Sequence, residues 1–285
     1  MESALHFRSP ERPPAAAGAC VGVFDSGVGG LSVLRALRHR LPDAPLLYVA
    51  DSAHAPYGER SEAHVIERSR RIVRHLVDAG AVGVVIACNT ATAIAVRTLR
   101  DEWPALPIIG VEPGLKPAAA ITGNGRVGVM ATSGTLASDK FRQLMQTQQA
   151  GGVTIVPRPC PGLARLIEQG DLEAPALRAA IEEHATFLRG EAVDTVVLGC
   201  THYAFVRHHI ERAMGPAVRL VDTADAVARH AAERLGHLVV GAAPGSARLG
   251  TTGDASRLRV FAKAWLGFAC VVERVDESAL SWPTR

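Results

Sequence analysis

The sequence lacks any Cys-x-x-Cys pair; its five cysteines, Cys20, Cys88, Cys160, Cys200 and Cys270, are odd in number and widely spaced. That rules out a disulfide framework or a zinc ribbon and fits a reducing cytoplasm. Charge of one sign is also scarce. The formal net charge is only +3, the basic residues are scattered, and no basic stripe with interleaved aromatics occurs, so nucleic acid is not the expected partner. No apolar run approaches the roughly 18 uncharged residues of a membrane span, so no membrane association is expected. The opening MESALHFRSPERPPAAAGA has no apolar stretch of about 7–15 residues and therefore does not read as a secretory signal. Its Pro and Ala content reads as a disordered tail over 1–19.

What the sequence does contain is alternation. Short runs rich in Val and Ile, namely 21–24, 46–50, 82–87, 107–111, 126–130, 153–156, 195–199 and 218–221, alternate with helical patterns such as 61–80 and 174–190. Buried strands separated by amphipathic helices predict parallel sheets covered on both faces, with ligands at the carboxyl ends of the strands. A helix is also expected over 221–235, and a turn and helix over 250–267, packing back on the first half.

An internal repeat organises these elements. VVIACNTATA (84–93) parallels VVLGCTHYAF (196–205), and VGVFDSG (21–27) parallels VGVMATSG (127–134). In one half 67 positions separate Val21 from Cys88; in the other 73 separate Val127 from Cys200. The expected architecture is α/β: two similar doubly wound parallel-sheet domains related by a pseudo-two-fold, with the active site in the cleft between them. The domains are expected to span 20–113 plus 221–285, and 114–220.

Such an arrangement brings Cys88 and Cys200 to opposite sides of one cleft. Each lies where a strand ends and a helix begins, a place where backbone N–H groups and the helix dipole favour a thiolate. Two mirrored thiols suit a reaction needing a base on one face of a carbon and an acid on the other, as racemisation does. Cys20, Cys160 and Cys270 lack that setting and read as structural. Asn89, Thr90 and Thr201 offer short hydrogen-bonding groups for the carboxylate and ammonium of a substrate, or else cap helices. His202 is placed to shuttle or stabilise a proton, whereas His208 and His209 read as solvated. Asp25 reads as a polar site group or an Asx cap. The turn at Pro56, Tyr57 and Gly58 can present N–H groups and a phenol to an anion. Gly27 and Gly29 imitate a dinucleotide loop, but the third glycine position is Ser32, so that reading fails.

Taken in order, DSGVGG, APYG, ACNTATA and GCTHY resemble the glutamate racemases of bacterial cell-wall synthesis, as do CPGLARLIEQG (160–170) and TTGDASRL (251–258). The likeness runs from about Val21 to Gly267; Ala204 departs from it, standing where the family usually has proline. The resemblance implies that Cys88 and Cys200 are the two acid/bases. It further implies substrate contacts from Asp25, Ser26, Tyr57, Gly58, Asn89, Thr90, Thr201 and His202, and a supporting acid, Glu168, near His202. It also implies no pyridoxal phosphate, metal or nucleotide cofactor, L- and D-glutamate as substrates, a homodimer, and a cytoplasmic role supplying D-glutamate for peptidoglycan and cell shape.

Three rivals compete. An aspartate or hydantoin racemase is the nearest. A cysteine hydrolase built on Cys200 and His202 would leave the repeated Cys88 unexplained. An amino-acid binding protein would have no use for a thiol at both strand ends.

Overall fold

A computed structural model of the chain describes residues 19–239 and 245–280. Most of the expected tail, residues 1–18, lies outside the described residues.

The eight apolar runs form strands β1 (Cys20–Asp25), β2 (Leu46–Ala50), β3 (Ala81–Ile86), β4 (Ile108–Gly110), β5 (Arg126–Ala131), β6 (Thr154–Pro159), β7 (Thr195–Gly199) and β8 (Arg219–Val221). Two further strands follow, β9 (Ala247–Thr251) and β10 (Val271–Arg274). One sheet has the order β10-β9-β2-β1-β3-β4 and the other β6-β5-β7-β8. All pairings are parallel.

The repeat in the sequence is visible in this topology. The order β2-β1-β3-β4 recurs as β6-β5-β7-β8, so β1 answers to β5 and β3 to β7. Cys88 follows β3 and Cys200 follows β7. Neither β9 nor β10 was expected. In β9 the sequence ARLGT carries Arg248 and Gly250 and shows no apolar run, yet it is held between β2 and β10. The short β10, VVER, is a largely exposed edge strand. Both extend the first sheet, so the chain after 221 does pack back on the first half, although 250–267 begins with strand residues before its helix.

The helices are α1 (Leu31–Arg40), α2 (Glu62–Asp78), α3 (Asn89–Glu102), α4 (Leu115–Ile121), α5 (Ser133–Ala137), α6 (Asp139–Ala150), α7 (Leu163–Glu168), α8 (Pro175–Gly190), α9 (Arg207–Met214), α10 (Ala224–Leu235) and α11 (Ala255–Trp265). Several starts are fixed by the local sequence. The hydroxyls of Ser61, Thr132 and Ser138 accept N–H groups three residues on. Cys88 caps α3, its sulfur accepting the Ala91 N–H.

Helices on both faces bury β1 and β7 completely. No described helix is long and apolar enough to cross a membrane.

One buried polar network ties the C-terminal segment to the first sheet. Asp51, at the end of β2, has no solvent exposure. It accepts two hydrogen bonds from Arg68, at 2.9 and 2.7 Å, and one each from Tyr57 (2.5 Å) and Thr252 (2.9 Å). Arg68 also donates to Glu277 at 3.0 Å. A buried guanidinium needs such partners, because removing one leaves an uncompensated charge. Asp51→Asn should therefore lower unfolding free energy by about 3–5 kcal/mol in urea titrations. Glu102→Gln, which breaks the solvent-exposed pair with Arg70, should cost no more than about 1 kcal/mol.

Candidate active site

The loop after β1, DSGVGG, enters the interior rather than solvent. Asp25 is fully buried; its Oδ1 accepts the Gly27 N–H at 2.8 Å, the Asx turn expected there, and its Oδ2 accepts the Thr201 hydroxyl at 3.1 Å. Tyr48 props the loop by donating to the Gly27 carbonyl at 2.6 Å.

The second half packs directly on this loop. Glu168, the last residue of α7, accepts the Val28 N–H at 2.8 Å and the His202 Nε2–H at 2.6 Å, both on Oε1. A Cβ on Gly27 would lie 1.8 Å from that same oxygen, and one on Gly29 2.6 Å from His202 Nδ1 and 2.8 Å from the His202 backbone nitrogen. These two glycines are needed for close approach of the other half, not for a phosphate.

Both cysteines line one narrow cavity, together with Ser26, Tyr57, Gly58, Asn89, Thr90 and Thr132, and with Thr201 and His202. Their surroundings differ. Cys88 donates to the Ser26 hydroxyl at 3.4 Å and accepts the Ala91 N–H at 3.4 Å. Cys200 lies 3.6 Å from His202 Nδ1. Burial of the His202 ring would depress its proton affinity. The hydrogen bonds to Cys200 and Glu168 outweigh that and hold it well above the ordinary histidine value. Its two ring nitrogens face Cys200 on one side and Glu168 on the other.

The expectation that a helix N-terminus would favour a thiolate at Cys88 is corrected. Burial first, and then the Asp25 charge, push its thiol up to about 12, and the Ser26 and Ala91 contacts only partly offset them. Burial likewise raises the Asp25 carboxyl above the usual carboxylate range, against the pull of the His202 charge and of its two donors.

Of the residues singled out from the sequence, Ser26, Asn89, Thr90, Thr201 and His202 line the cavity beside the two cysteines, Asp25 lies beneath it, and Glu168 supports His202 from behind. Two details differ. The Tyr57 phenol donates to Asp51 within the buried network, so Tyr57 and Gly58 face the cavity without a free hydroxyl. His209 is buried, its Nε2 2.9 Å from the Leu172 carbonyl, because α9 turns that face inward; His208 remains about half exposed. Thr132 was missed. Its hydroxyl lies 2.9 Å from both Thr90 Oγ1 and Thr135 Oγ1, bridging the halves. The signal was the repeat itself, since VGVMATSG aligns Thr132 with Ser26.

Two matched α/β halves that face paired thiols across one cavity define a class of protein suited to chemistry on both faces of a single carbon. The family model described as Asp/Glu/hydantoin racemase matches residues 31–231, and the chain belongs to that family. It is 48% identical over 249 residues to the glutamate racemase of Ectopseudomonas mendocina, covering 87% of this chain and 94% of that one. Among solved structures it is similar to the glutamate racemase isoform RacE1 of Bacillus anthracis, with a TM-score of 0.81, 30% identity, and coverage of 90% of this chain and 97% of that one. It is similar also to the Escherichia coli glutamate racemase in complex with L-glutamate and the activator UDP-MurNAc-ala, with a TM-score of 0.79, 32% identity, and coverage of 91% and 98%.

Because the thiolate is the reactive form, alkylation of Cys88 by iodoacetamide, followed by peptide mass spectrometry, should keep rising with pH and show no plateau near neutrality. Asp25→Asn removes a charge that raises this thiol and should move the curve to lower pH. A neutral-pH plateau in the unmodified protein would contradict the assignment.

Proposed function

We infer that this chain is a glutamate racemase that interconverts L- and D-glutamate without a cofactor, using Cys88 and Cys200 as the two acid/bases. The observation that carries this reading is that both thiols line one cavity from equivalent strand ends of the two halves. One sulfur, as thiolate, takes the α-proton. The electron pair left on the α-carbon is delocalised into the carboxylate, and the other sulfur, as thiol, gives a proton to the opposite face. The net result is inversion with one proton moved from one cysteine to the other.

The environments set the starting state. Cys88, with its thiol pushed up to about 12, begins as the proton donor. Cys200 stands beside the His202–Glu168 pair, 3.6 Å from His202 Nδ1. In this assignment Cys200 deprotonates L-glutamate and Cys88 deprotonates D-glutamate, as the family resemblance implies. Ser26 is the nearer partner of Cys88, while Asp25 acts on it through charge and holds Thr201. The N–H groups opening α3 at Asn89 and Thr90, those near Thr201, and the turn at Tyr57–Gly58 are the groups proposed to hold the substrate's charged ends. The hydroxyls of Thr90 and Thr132 sit between the halves to complete that cradle.

The wider reading rests on family membership: a cytoplasmic homodimer supplying D-glutamate for peptidoglycan, built as two racemase domains spanning 20–113 plus 221–285 and 114–220. No step is assigned to pyridoxal phosphate, a metal or a nucleotide. Aspartate and hydantoin are the less favoured substrates, because the relatives at 48% and 51% identity are glutamate racemases.

Circular dichroism of L-glutamate incubated with the chain should decay to zero, with aspartate slower by at least about 10–200-fold in kcat/KM, the range for one missing methylene. Single-cysteine variants sharpen the test. A 3-halo-glutamate that loses halide after one proton abstraction reports on one thiolate at a time. Cys88→Ala should abolish racemisation yet still eliminate halide from the L-configured analogue, and Cys200→Ala should do the converse. His202→Asn should slow elimination from the L-configured analogue by roughly 10²–10⁴-fold. Equal kcat/KM for aspartate and glutamate would overturn the substrate; full racemisation by either cysteine variant would overturn the mechanism.

A further inference from the structure

Helix α9 opens with two adjacent histidines for which the racemase chemistry has no use. The rings of His208 and His209 lie 3.9 Å apart, centroid to centroid, tilted by 42°. Both present Nε2 to one oxygen of Glu173: Oε1 is 3.6 Å from His208 and 3.2 Å from His209. The Leu172 carbonyl oxygen stands 2.9 Å from His209 Nε2. Two imidazole nitrogens, a carboxylate oxygen and a backbone carbonyl thus converge from two separate chain segments. The three side-chain donor atoms all lie within 4.8 Å of one another.

Those separations match a known geometry. A tetrahedral ion with arms of about 2.0–2.2 Å to nitrogen and oxygen spaces its donors about 3.3–3.6 Å apart. The two imidazole-to-carboxylate separations, 3.6 and 3.2 Å, lie close to that range, and the ion would replace the proton of the 2.9 Å His209–Leu172 hydrogen bond. The donor set, two imidazoles with one carboxylate, suits zinc, cobalt or nickel rather than magnesium or calcium.

Charge favours the same occupant. Two imidazoles in ring contact repel one another if both are protonated, whereas a divalent ion replaces both protons with a single centre and needs the neutral ring form. Arg178 lies 3.8 Å from the other carboxylate oxygen, Oε2, and leaves Oε1 to the two histidines. It acts there as the kind of outer partner that orients a metal-bound carboxylate. Arg212 and Glu182, of opposite charge, line the adjoining surface pocket with His209.

We propose that Glu173, His208 and His209, with the Leu172 carbonyl as fourth donor, form a binding site for a divalent transition-metal ion of the zinc class. Its place in the fold gives the ion something to do. Leu172 and Glu173 follow α7, which ends at Glu168; His208 and His209 follow the turn that carries His202. A bound ion staples together, from behind, the two segments whose meeting forms the Glu168–His202 contact. The site is separate from the cysteine cavity and stands or falls independently of the racemase reading.

The experiment is titration of the full chain with Co²⁺, its thiols kept reduced by a phosphine. The expected result is a visible d–d spectrum of nitrogen- and oxygen-bound cobalt, saturating at one equivalent and displaced by Zn²⁺, with no near-ultraviolet sulfur-to-cobalt band. His208→Ala and Glu173→Gln should each weaken binding by more than the roughly 10–100-fold that follows loss of a supporting partner alone. The spectrum should persist in Cys200→Ser. His208 is about half exposed, so its truncation leaves the fold intact, which far-ultraviolet circular dichroism checks. Absence of a visible band would overturn the proposal. So would a sulfur-to-cobalt band that survives both variants, since the ion would then occupy the cysteine cavity.

Discussion

A single carboxylate oxygen clasps the two halves of this molecule. Glu168 Oε1 accepts the Val28 N–H from the first half and the His202 Nε2–H from the second. Because it is nearly buried, few water molecules compete for it, and each bond is charge-assisted and correspondingly strong. The loop it grips has glycine at 27 and 29 because any side chain there would occupy the space of Glu168 or His202. With the loop gripped, Asp25 reaches Thr201, the helix start behind Cys88 faces the turn behind Cys200, and both sulfurs line the same cavity. Loosening the clasp would part the thiols and also remove a hydrogen-bond partner that raises the proton affinity of His202.

The fold is symmetric where the electrostatics are not. The strand order of one half repeats in the other, and each half delivers a cysteine from the equivalent strand end. Yet Cys88 is held by a hydroxyl and one N–H under the field of a buried carboxylate, while Cys200 faces an imidazole backed by a second carboxylate. A reaction that runs in both directions between mirror-image substrates needs no symmetric catalyst. It needs one acid and one base that exchange roles, and the two sulfurs here sit in unequal environments.

Much of this was legible in the residues. The Val- and Ile-rich runs of β1, β2, β3, β5 and β7 are buried almost throughout and so carry a nearly unbroken apolar pattern, whereas the edge strands β6 and β8 are partly exposed; the repeat of ACNTAT against GCTHYA placed both cysteines at strand ends. The strands β9 and β10 were not legible, because ARLGT and VVER become strands only through pairing with a sheet edge already formed. The Tyr57 phenol was misdirected for a related reason: its partner Asp51 is six residues away, but the Arg68 that fixes Asp51 comes from a helix beyond. The proton affinity of Cys88 could not be read from its position at a helix start, since depth of burial and the Asp25 charge are properties of the assembled halves. His209 looked like a surface residue until the register of α9 turned it inward.

The most direct test of two-sided thiol chemistry follows the α-hydrogen. L-Glutamate in deuterium oxide should be racemised with NMR and chiral analysis of both pools at early conversion. With two thiols on opposite faces, the D-product should carry deuterium from its first appearance, delivered by a solvent-equilibrated Cys88, while the unreacted L-glutamate keeps its protium. D-Glutamate that retains α-protium, or deuterium entering the L-pool before inversion, would mean that one base serves both faces, and the assignment of Cys88 and Cys200 to opposite sides of the substrate would be contradicted.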